Sequence, residues 1–250
     1  MGKLITITSG KGGVGKTTTA INLATAINSF GKDVIIVDAN LGTPNIGLHL
    51  GAPIVPISLN HVLNGKAEIE EAIYQHESGT KIILSSLSIG ELKKINHSKL
   101  IDLGKKLRKM ADYIIYDSAA GLGEESIAAL ESADELIIVT NPEIPAVTDA
   151  LKTYKLAEQM NKSVSGIIVT RHKNSKTEMP ISNIRDMLEL PILGVIPEEK
   201  RVQASLIQKE ALMHAYPKCK ASIEYKRIAA KIIGHEGYKE RASFFNRWFG

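Results

Sequence analysis

A glycine-rich stretch near residue 10 carries a lysine and threonines at the spacing of a phosphate-binding loop. The pattern G-x-x-x-x-G-K-[ST] is satisfied by Gly10, Gly15, Lys16 and Thr17. An apolar run over 4–8 precedes the loop, and a helical pattern starts near Lys16. Glycines let backbone N–H groups approach phosphate oxygens, and the helix start adds N–H donors and a positive dipole end. We therefore expect nucleotide phosphates to contact Gly12, Gly13, Val14, Gly15, Lys16, Thr17 and Thr18.

Lys16, Thr17 and two strand-end aspartates are candidates for phosphoryl-transfer chemistry. Lys16 is expected to reach the β- and γ-phosphates, and the Thr17 hydroxyl to bind Mg²⁺. A β-branched run over 33–38 ends in Asp38, and an apolar run over 111–117 ends in Asp117. Such strand ends lie on the ligand side of an open α/β sheet. We expect Asp38 and Asp117 to join Thr17 at the metal, and the first of these acids to act in catalysis.

Lys11 is one lysine more than an ordinary loop of this type needs, which indicates an anionic target of its own. The stretch K-G-G-V-G-K-T-T resembles the deviant P-loop of the MinD/ParA family of ATPases. The resemblance implies that ATP and Mg²⁺ are the cofactors, and that Lys11 crosses a dimer interface to the partner's nucleotide. A solvated surface lysine is the alternative.

The loop after Asp38 resembles the family's first switch, but Asn40 stands where relatives usually carry a second aspartate. In relatives that aspartate is associated with the attacking water. An amide cannot take a proton, but a loose transition state mainly needs the water to be positioned. We therefore expect an ATPase with slow turnover in which Asn40 positions the water, and a turn or capping role is the alternative.

The stretch 118–123 resembles the family's second switch, which implies that the Gly121 N–H faces the γ-phosphate. Thr170 and Arg171 end a predicted strand where relatives commonly carry Asn-Arg, and the resemblance assigns that asparagine to the adenine edge. A threonine offers one hydroxyl in place of an amide, which weakens any inference about base selectivity.

Two further stretches extend the resemblance. The run 192–198 is similar to the family's L-G-x-I-P, which places Pro197 and Glu198 near the base. The run 141–150 resembles a family segment at the dimer face, which implies that Glu143, Pro145 and Asp149 lie near that face; a plain βα turn is the alternative.

Composition limits the remaining possibilities. The 250 residues are 44% apolar and 23% charged, with a formal charge of +4, which suits an anionic surface without distinguishing membrane from DNA. One cysteine, Cys219, excludes a disulfide framework within the chain. No signal peptide and no run of about 18 apolar residues is visible, so a cytoplasmic protein is expected. A basic cluster over 105–109 is predicted to be a solvated face, with DNA or lipid contact as alternatives.

Apolar strands alternate with amphipathic helices along the chain. This pattern predicts an α/β fold: one P-loop NTPase domain over 1–234, with a mostly parallel sheet covered by helices on both faces. The segment 235–250 is predicted to be a C-terminal amphipathic helix.

Aromatic residues are concentrated at the end of the chain. At about 100° per residue they share one helix face. Arg247 belongs to the polar remainder, which is the composition of an interfacial helix and resembles the family's membrane-targeting tail. Docking of this helix on the core is the alternative. The predicted membrane-binding residues are Phe244, Phe245, Arg247, Trp248 and Phe249.

These features together predict a MinD-like ATPase. ATP would drive formation of a homodimer, the tails would bind a membrane surface, and hydrolysis would release the protein. The expected process is spatial positioning of cell division or of a related polar system, together with a protein regulator or cargo. Two alternatives are a ParA-like ATPase that binds nonspecific DNA and a slowly hydrolysing regulatory module locked by nucleotide.

Overall fold

The computed structural model describes residues 1–52, 54–92 and 96–235. The predicted membrane-binding residues of the C-terminal segment therefore lie outside the described residues. They are Phe244, Phe245, Arg247, Trp248 and Phe249.

Eight strands in the described part of the chain form one sheet, in the order β3-β4-β2-β5-β1-β6-β7-β8. Neighbouring strands are parallel, except that β3 runs antiparallel to β4. The strands are β1 (Lys3–Thr8), β2 (Val34–Ala39), β3 (Tyr74–Gln75), β4 (Lys81–Ile83), β5 (Tyr113–Ser118), β6 (Glu135–Thr140), β7 (Val164–His172) and β8 (Ile192–Pro197).

Helices connect the strands, and a 3₁₀ turn spans Ile69–Ala72. The helices of the described residues are α1 (Lys16–Asn28), α2 (Ile46–His49), α3 (Leu59–Leu63), α4 (Ile89–Leu92), α5 (Lys99–Leu107), α6 (Glu124–Ser132), α7 (Ile144–Gln159), α8 (Ile181–Leu188), α9 (Lys200–Gln208), α10 (Leu212–Ala215) and α11 (Lys220–Ile232).

The central strands are buried on both faces, which explains their continuous apolar runs. Successive side chains of β6 alternate between the two faces: Ile137 and Val139 pack with α1 and α11, whereas Leu136 and Ile138 pack with the helices of the opposite face. The predicted parallel sheet with helices on both faces is confirmed.

One edge of the sheet differs from the prediction. The sequence over 58–75 predicts short helices broken at Asn64 and Gly65, but Tyr74 and Gln75 form β3 and pair with β4. The connecting turn is closed by a bond from the His76 N–H to the Thr80 carbonyl, with Gly79 at φ +85°. A two-residue strand is too short to show an alternating pattern, so sequence periodicity could not reveal it.

Strand register brings the candidate residues together. Asp38 of β2 lies opposite Asp117 of β5, and Ile7 of β1 is the partner of the same aspartate on the other side. The phosphate-binding loop leaves β1 one residue later. The two carboxylates and the loop therefore meet at the carboxyl edge of the central strands.

Candidate nucleotide-binding site

The loop over 9–15 has the backbone geometry of a phosphate cradle. Gly15 has φ +90°, a left-handed conformation, and α1 begins at the next residue. Gly10 approaches α7 so closely that a Cβ there would lie 2.1 Å from the Asp149 carbonyl oxygen. These two glycines hold the loop against the body of the protein and direct it into the start of α1.

Lys16 is directed toward Asp117 beneath the loop. Its Nζ lies 3.7 Å from Asp117 Oδ1, and the side chains are 9% and 0% exposed. Neither carboxylate oxygen of Asp117 has a hydrogen-bond partner in the described part of the chain. Burial raises the pKa of Asp117, and the nearby Lys16 and Thr17 only partly oppose that shift.

Asp38 is half satisfied by the backbone. Its Oδ2 accepts hydrogen bonds from the N–H groups of Asn45 and Ile46, both at 2.9 Å, whereas Oδ1 is buried without a partner. Burial and then the charge of Asp117 raise the pKa of Asp38 well above its ordinary value. Two carboxyl groups thus lie on neighbouring strands, and three of their four oxygens have no hydrogen-bond partner within the described residues.

This donor set fits Mg²⁺. The cation takes oxygen ligands, and its charge would compensate the two buried carboxylates. The residues that would hold it, directly or through water, are Thr17, Asp38 and Asp117. ATP with Mg²⁺ is therefore the cofactor that suits this edge of the sheet.

Asn40 is held in a turn. Its Nδ2 donates to the Thr43 carbonyl at 2.6 Å, and its Oδ1 accepts from the Thr43 hydroxyl at 3.1 Å and N–H at 3.3 Å. The predicted water-positioning role is thus limited to the remaining Nδ2 hydrogen, because the oxygen is already used. The turn alternative describes the geometry of the side chain better.

The Gly121 N–H differs from its predicted orientation. It donates to the Ser9 carbonyl at 3.0 Å, so it connects the second switch to the phosphate-binding loop instead of facing a phosphate. A motif match could not show this bond, because Ser9 becomes a neighbour only when β1 and β5 pair.

Thr170 also differs from the expected base contact. Its hydroxyl lies 2.5 Å from the Val14 carbonyl and accepts a bond from Asn141 Nδ2 at 3.1 Å. The hydroxyl is therefore used within the protein and is not free to read a base. Asn141 was not among the predicted site residues, because the resemblance of the run 141–150 to the family assigns no role to it.

Two adjoining cavities lie along this edge. The loop cavity, of about 380 Å³, is lined by residues that include Gly12, Lys16, Thr17 and Asn40. The β7–β8 cavity, of about 230 Å³, is lined by residues that include Thr170, Arg171, Pro197, Glu198 and Tyr225. Both are bordered by Gly13, Gly15 and Thr18.

The cavities have different walls. The loop cavity is lined largely by polar groups around Lys16, whereas the β7–β8 cavity has apolar walls formed by Ile196, Val202, Leu206 and Tyr225. A polar end and an apolar end in one cleft suit the phosphates and the base of a nucleotide, respectively. Tyr225 was not predicted, because its position depends on α11 packing on α1 about two hundred residues away; its hydroxyl lies 3.2 Å from Thr19 Oγ1.

Arg171 and Glu198 form an ion pair at the rim of the β7–β8 cavity, with Arg171 Nε 3.3 Å from Glu198 Oε2. The Glu198 N–H donates to the His172 carbonyl. These contacts fix the ends of β7 and β8 beside Pro197, where the sequence placed the base.

Lys11 lines neither cavity. Its side chain is 45% exposed, and its Nζ lies 3.7 Å from Glu143 Oε2 at the start of α7. The side chain of this lysine therefore points away from the two cavities and toward α7.

The predicted basic cluster on α5 is smaller than its sequence suggested. Arg108 is bound in a fork by Asp134, with Nε–Oδ2 at 2.8 Å and Nη2–Oδ1 at 3.0 Å, and its side chain is only 13% exposed. Lys105 pairs with Asp102 at 2.8 Å. In the described residues, no helix combines the length and apolar character needed to cross a bilayer.

Known proteins resemble this chain over most of its length. The family described as the CobQ/CobB/MinD/ParA nucleotide binding domain matches residues 5–212. An uncharacterized ATP-binding protein of Methanocaldococcus jannaschii is 38% identical over 248 residues, which cover 98% of this chain and 94% of the relative.

Solved structures share the fold. The septum site-determining protein MinD of Pyrococcus horikoshii, complexed with Mg-ADP, is 32% identical with a TM-score of 0.90, and the match covers 97% of this chain and 100% of that one. A chain of the MinC:MinD cell division protein complex of Aquifex aeolicus is 30% identical with a TM-score of 0.86, and the match covers 96% and 98%.

Proposed function

The chain belongs to the MinD/ParA family of ATPases, and we propose that it acts as a MinD-like membrane switch. Bound ATP holds two copies together, the paired C-terminal segments 235–250 attach the dimer to a membrane surface, and hydrolysis releases it. The process served is the spatial positioning of cell division or of a related polar system.

The observation that carries this proposal is the position of Lys11. Its side chain lies outside both cavities of its own cleft, and its Nζ lies 3.7 Å from Glu143 Oε2 in an exposed ion pair. An exposed ion pair of this length contributes about 0–1 kcal/mol to stability, so an anion that binds Lys11 more strongly would displace the Glu143 carboxylate. The phosphates of a second copy's nucleotide are such a partner.

The residues of the cleft have separate roles in binding and hydrolysis. The loop N–H groups and Lys16 bind the phosphates, and Thr17, Asp38 and Asp117 hold Mg²⁺, which would neutralise charge on the β- and γ-phosphate oxygens. Asn40 offers one N–H and no base to the attacking water, because its oxygen is bonded to Thr43. We infer slow hydrolysis, and therefore a long-lived ATP-bound dimer.

The energetics of the tail favour a dimer. Burial of four aromatic side chains gains roughly 6–12 kcal/mol at about 1.5–3 kcal/mol each. Ordering about ten residues costs about 1–2 kcal/mol each, which is as large as that gain or larger. One tail is therefore a marginal anchor, whereas two tails on one dimer raise the avidity by about 10²–10⁴.

Membrane association is tested by sedimentation with vesicles in the presence of ATP, ADP or no nucleotide. The full chain should pellet with ATP, and a chain that lacks residues 244–250 should stay in the supernatant while it retains nucleotide binding. A parallel DNA-retention assay separates this function from DNA partitioning. ATP-dependent DNA retention without pelleting of vesicles would overturn the membrane proposal.

We further propose a cytoplasmic location and a protein regulator or cargo. The Aquifex aeolicus relative was solved in complex with MinC, which supports a protein partner for this chain. Affinity for DNA through α5 is less favoured, because Arg108 is engaged by Asp134 and Lys105 by Asp102.

A further inference from the structure

Thr170 connects the end of β7 to the phosphate-binding loop. Its Oγ1 lies 2.5 Å from the Val14 carbonyl oxygen and 3.2 Å from that of Thr140. Asn141 Nδ2 donates to both the hydroxyl and the carbonyl oxygen of Thr170, each at 3.1 Å. Thr170 is only 4% exposed, so water hardly competes for these bonds.

The network gives the Thr170 hydroxyl a direction. A hydroxyl has one hydrogen, and here the Asn141 amide occupies an acceptor site on the oxygen. The hydrogen is left for a carbonyl, and the Val14 oxygen is the nearer one by 0.7 Å, the difference between 2.5 and 3.2 Å. Asn141 thus orients Thr170, and Thr170 donates to Val14.

A bond to the Val14 carbonyl also sets the following N–H group. The peptide between Val14 and Gly15 is trans, so its C=O and N–H point in opposite directions. When the carbonyl is held toward Thr170, the Gly15 N–H is held away from it. Within the described part of the chain this N–H has no acceptor, and Gly15 borders both cavities.

Conformational freedom in the loop makes such a restraint necessary. Gly13 and Gly15 both have positive φ, at +78° and +90°. Glycine populates either sign of φ readily, so the intervening peptide could rotate at little cost. The Val14 side chain is buried, but burial of a side chain alone does not choose the direction of its carbonyl.

We propose that Thr170, oriented by Asn141, is a positioning residue for nucleotide binding: its hydroxyl holds the Val14 carbonyl so that the Gly15 N–H faces the phosphates. This inference rests on the proposed nucleotide site. Residue 170 thus has no base-reading role. It acts on phosphate binding instead, because it contacts the loop on the side opposite to the phosphates.

Three variants of the full chain test the inference. Thr170→Val keeps the shape and removes the hydroxyl, and Thr170→Ser keeps the hydroxyl. Thr6→Val is the matched control, because the buried Thr6 hydroxyl also donates to a carbonyl, that of Ala129 at 2.9 Å, but in a different part of the sheet. Each is assayed for binding of a fluorescent ADP analogue with Mg²⁺ and for kcat and KM with ATP.

Loss of one buried hydrogen bond predicts about tenfold weaker binding for Thr170→Val. The N–H contacts ground state and transition state alike, so KM should rise about tenfold while kcat stays within about twofold. Thr170→Ser should bind within about twofold of wild type. Thr6→Val should lose stability yet keep its affinity for the analogue.

Equal affinity for wild type and Thr170→Val would overturn the positioning role, as would an equal loss in Thr6→Val. If Thr170→Val does not fold, Asn141→Ala tests the same network from the donor side and should weaken binding about threefold; unchanged affinity there would overturn the inference. A wild-type chain that does not bind the analogue would instead contradict the proposed nucleotide site itself.

Discussion

The two ends of the cleft differ in whether their buried polar groups have hydrogen-bond partners within the protein. Beside the loop cavity, Asp38 Oδ1 and both oxygens of Asp117 have no hydrogen-bond partner within the described residues, and Lys16 Nζ lies 3.7 Å from Asp117 Oδ1. Beside the β7–β8 cavity, Thr170 and Asn141 bond each other, and Thr170 bonds Val14. Unpaired buried oxygens are costly and therefore mark where a ligand binds, whereas paired groups hold the site in shape.

Because of this difference, we expect substitutions at the two ends to affect different properties of the protein. Substitutions at the phosphate end remove side chains that we expect to contact the nucleotide and its metal, so they should weaken nucleotide binding. Changes at the base end remove contacts within the protein, so they alter stability or positioning.

Lys16→Ala should weaken Mg-ADP binding by roughly 100-fold, because it removes the cation that we expect to bind the phosphates and leaves Asp117 without its ion-pair partner. Titration calorimetry measures the effect. Lys11→Ala is the matched control, because Lys11 lines neither cavity, and it should bind ADP as the wild type does. A similar loss in both variants would remove the distinction between the two lysines.

Asn40→Asp should raise kcat for ATP by at least about tenfold, since it supplies the carboxylate that the first switch lacks. The same change removes the Nδ2 donor to Thr43 and should lower the free energy of unfolding by about 1 kcal/mol. Asn45→Asp adds the same charge to the same loop and should leave kcat unchanged. A turnover that does not rise would show that residue 40 serves only the turn.

The nucleotide-free protein should lose stability as the pH rises above about 4, the ordinary pKa of an aspartate. Burial raises the pKa of Asp38 and of Asp117, so the folded state binds more protons than the unfolded state above the ordinary aspartate pKa. The free energy of unfolding then falls with rising pH. Thermal melts should show this slope reduced in Asp38→Asn but kept in the exposed-site variant Asp186→Asn. A stability that rises over that range would contradict the raised pKa values.

Tyr225→Phe should have the smallest effect. It removes the hydroxyl bond to Thr19 and should cost about 1 kcal/mol in the free energy of unfolding. The apolar ring that lines the β7–β8 cavity is retained, so nucleotide affinity should not change. Burial raises the pKa of Tyr225 to about 12, so this hydroxyl stays neutral and its loss should not depend on pH. A clear loss of nucleotide affinity would place the hydroxyl itself at the base.

The phosphate end was predictable from the sequence because its residues lie in short motifs and at the ends of predicted strands. The glycine spacing located the loop, and the acids at the ends of β2 and β5 met it as the parallel sheet required. The bonds of Thr170, Gly121 and Arg108 were not predictable, because their partners are distant in the chain. Thr170 and Val14 are 156 positions apart, and no spacing rule connects them.

Asn40 shows a second limit. The sequence located it in the first switch and left two roles open, and only the three bonds to Thr43 identified the turn. Side-chain amides compete for nearby backbone groups, and the short loop to Thr43 offers both a donor and an acceptor.

In the proposed function, ATP closes a dimer through Lys11 and the dimer binds membrane. The most direct measurement compares the full chain and Lys11→Ala in vesicle sedimentation with ATP, alongside sedimentation velocity without vesicles. The account predicts that the wild type dimerises and pellets with ATP, and that Lys11→Ala binds nucleotide yet stays monomeric and soluble. Equal dimerisation and pelleting of the two proteins would contradict it.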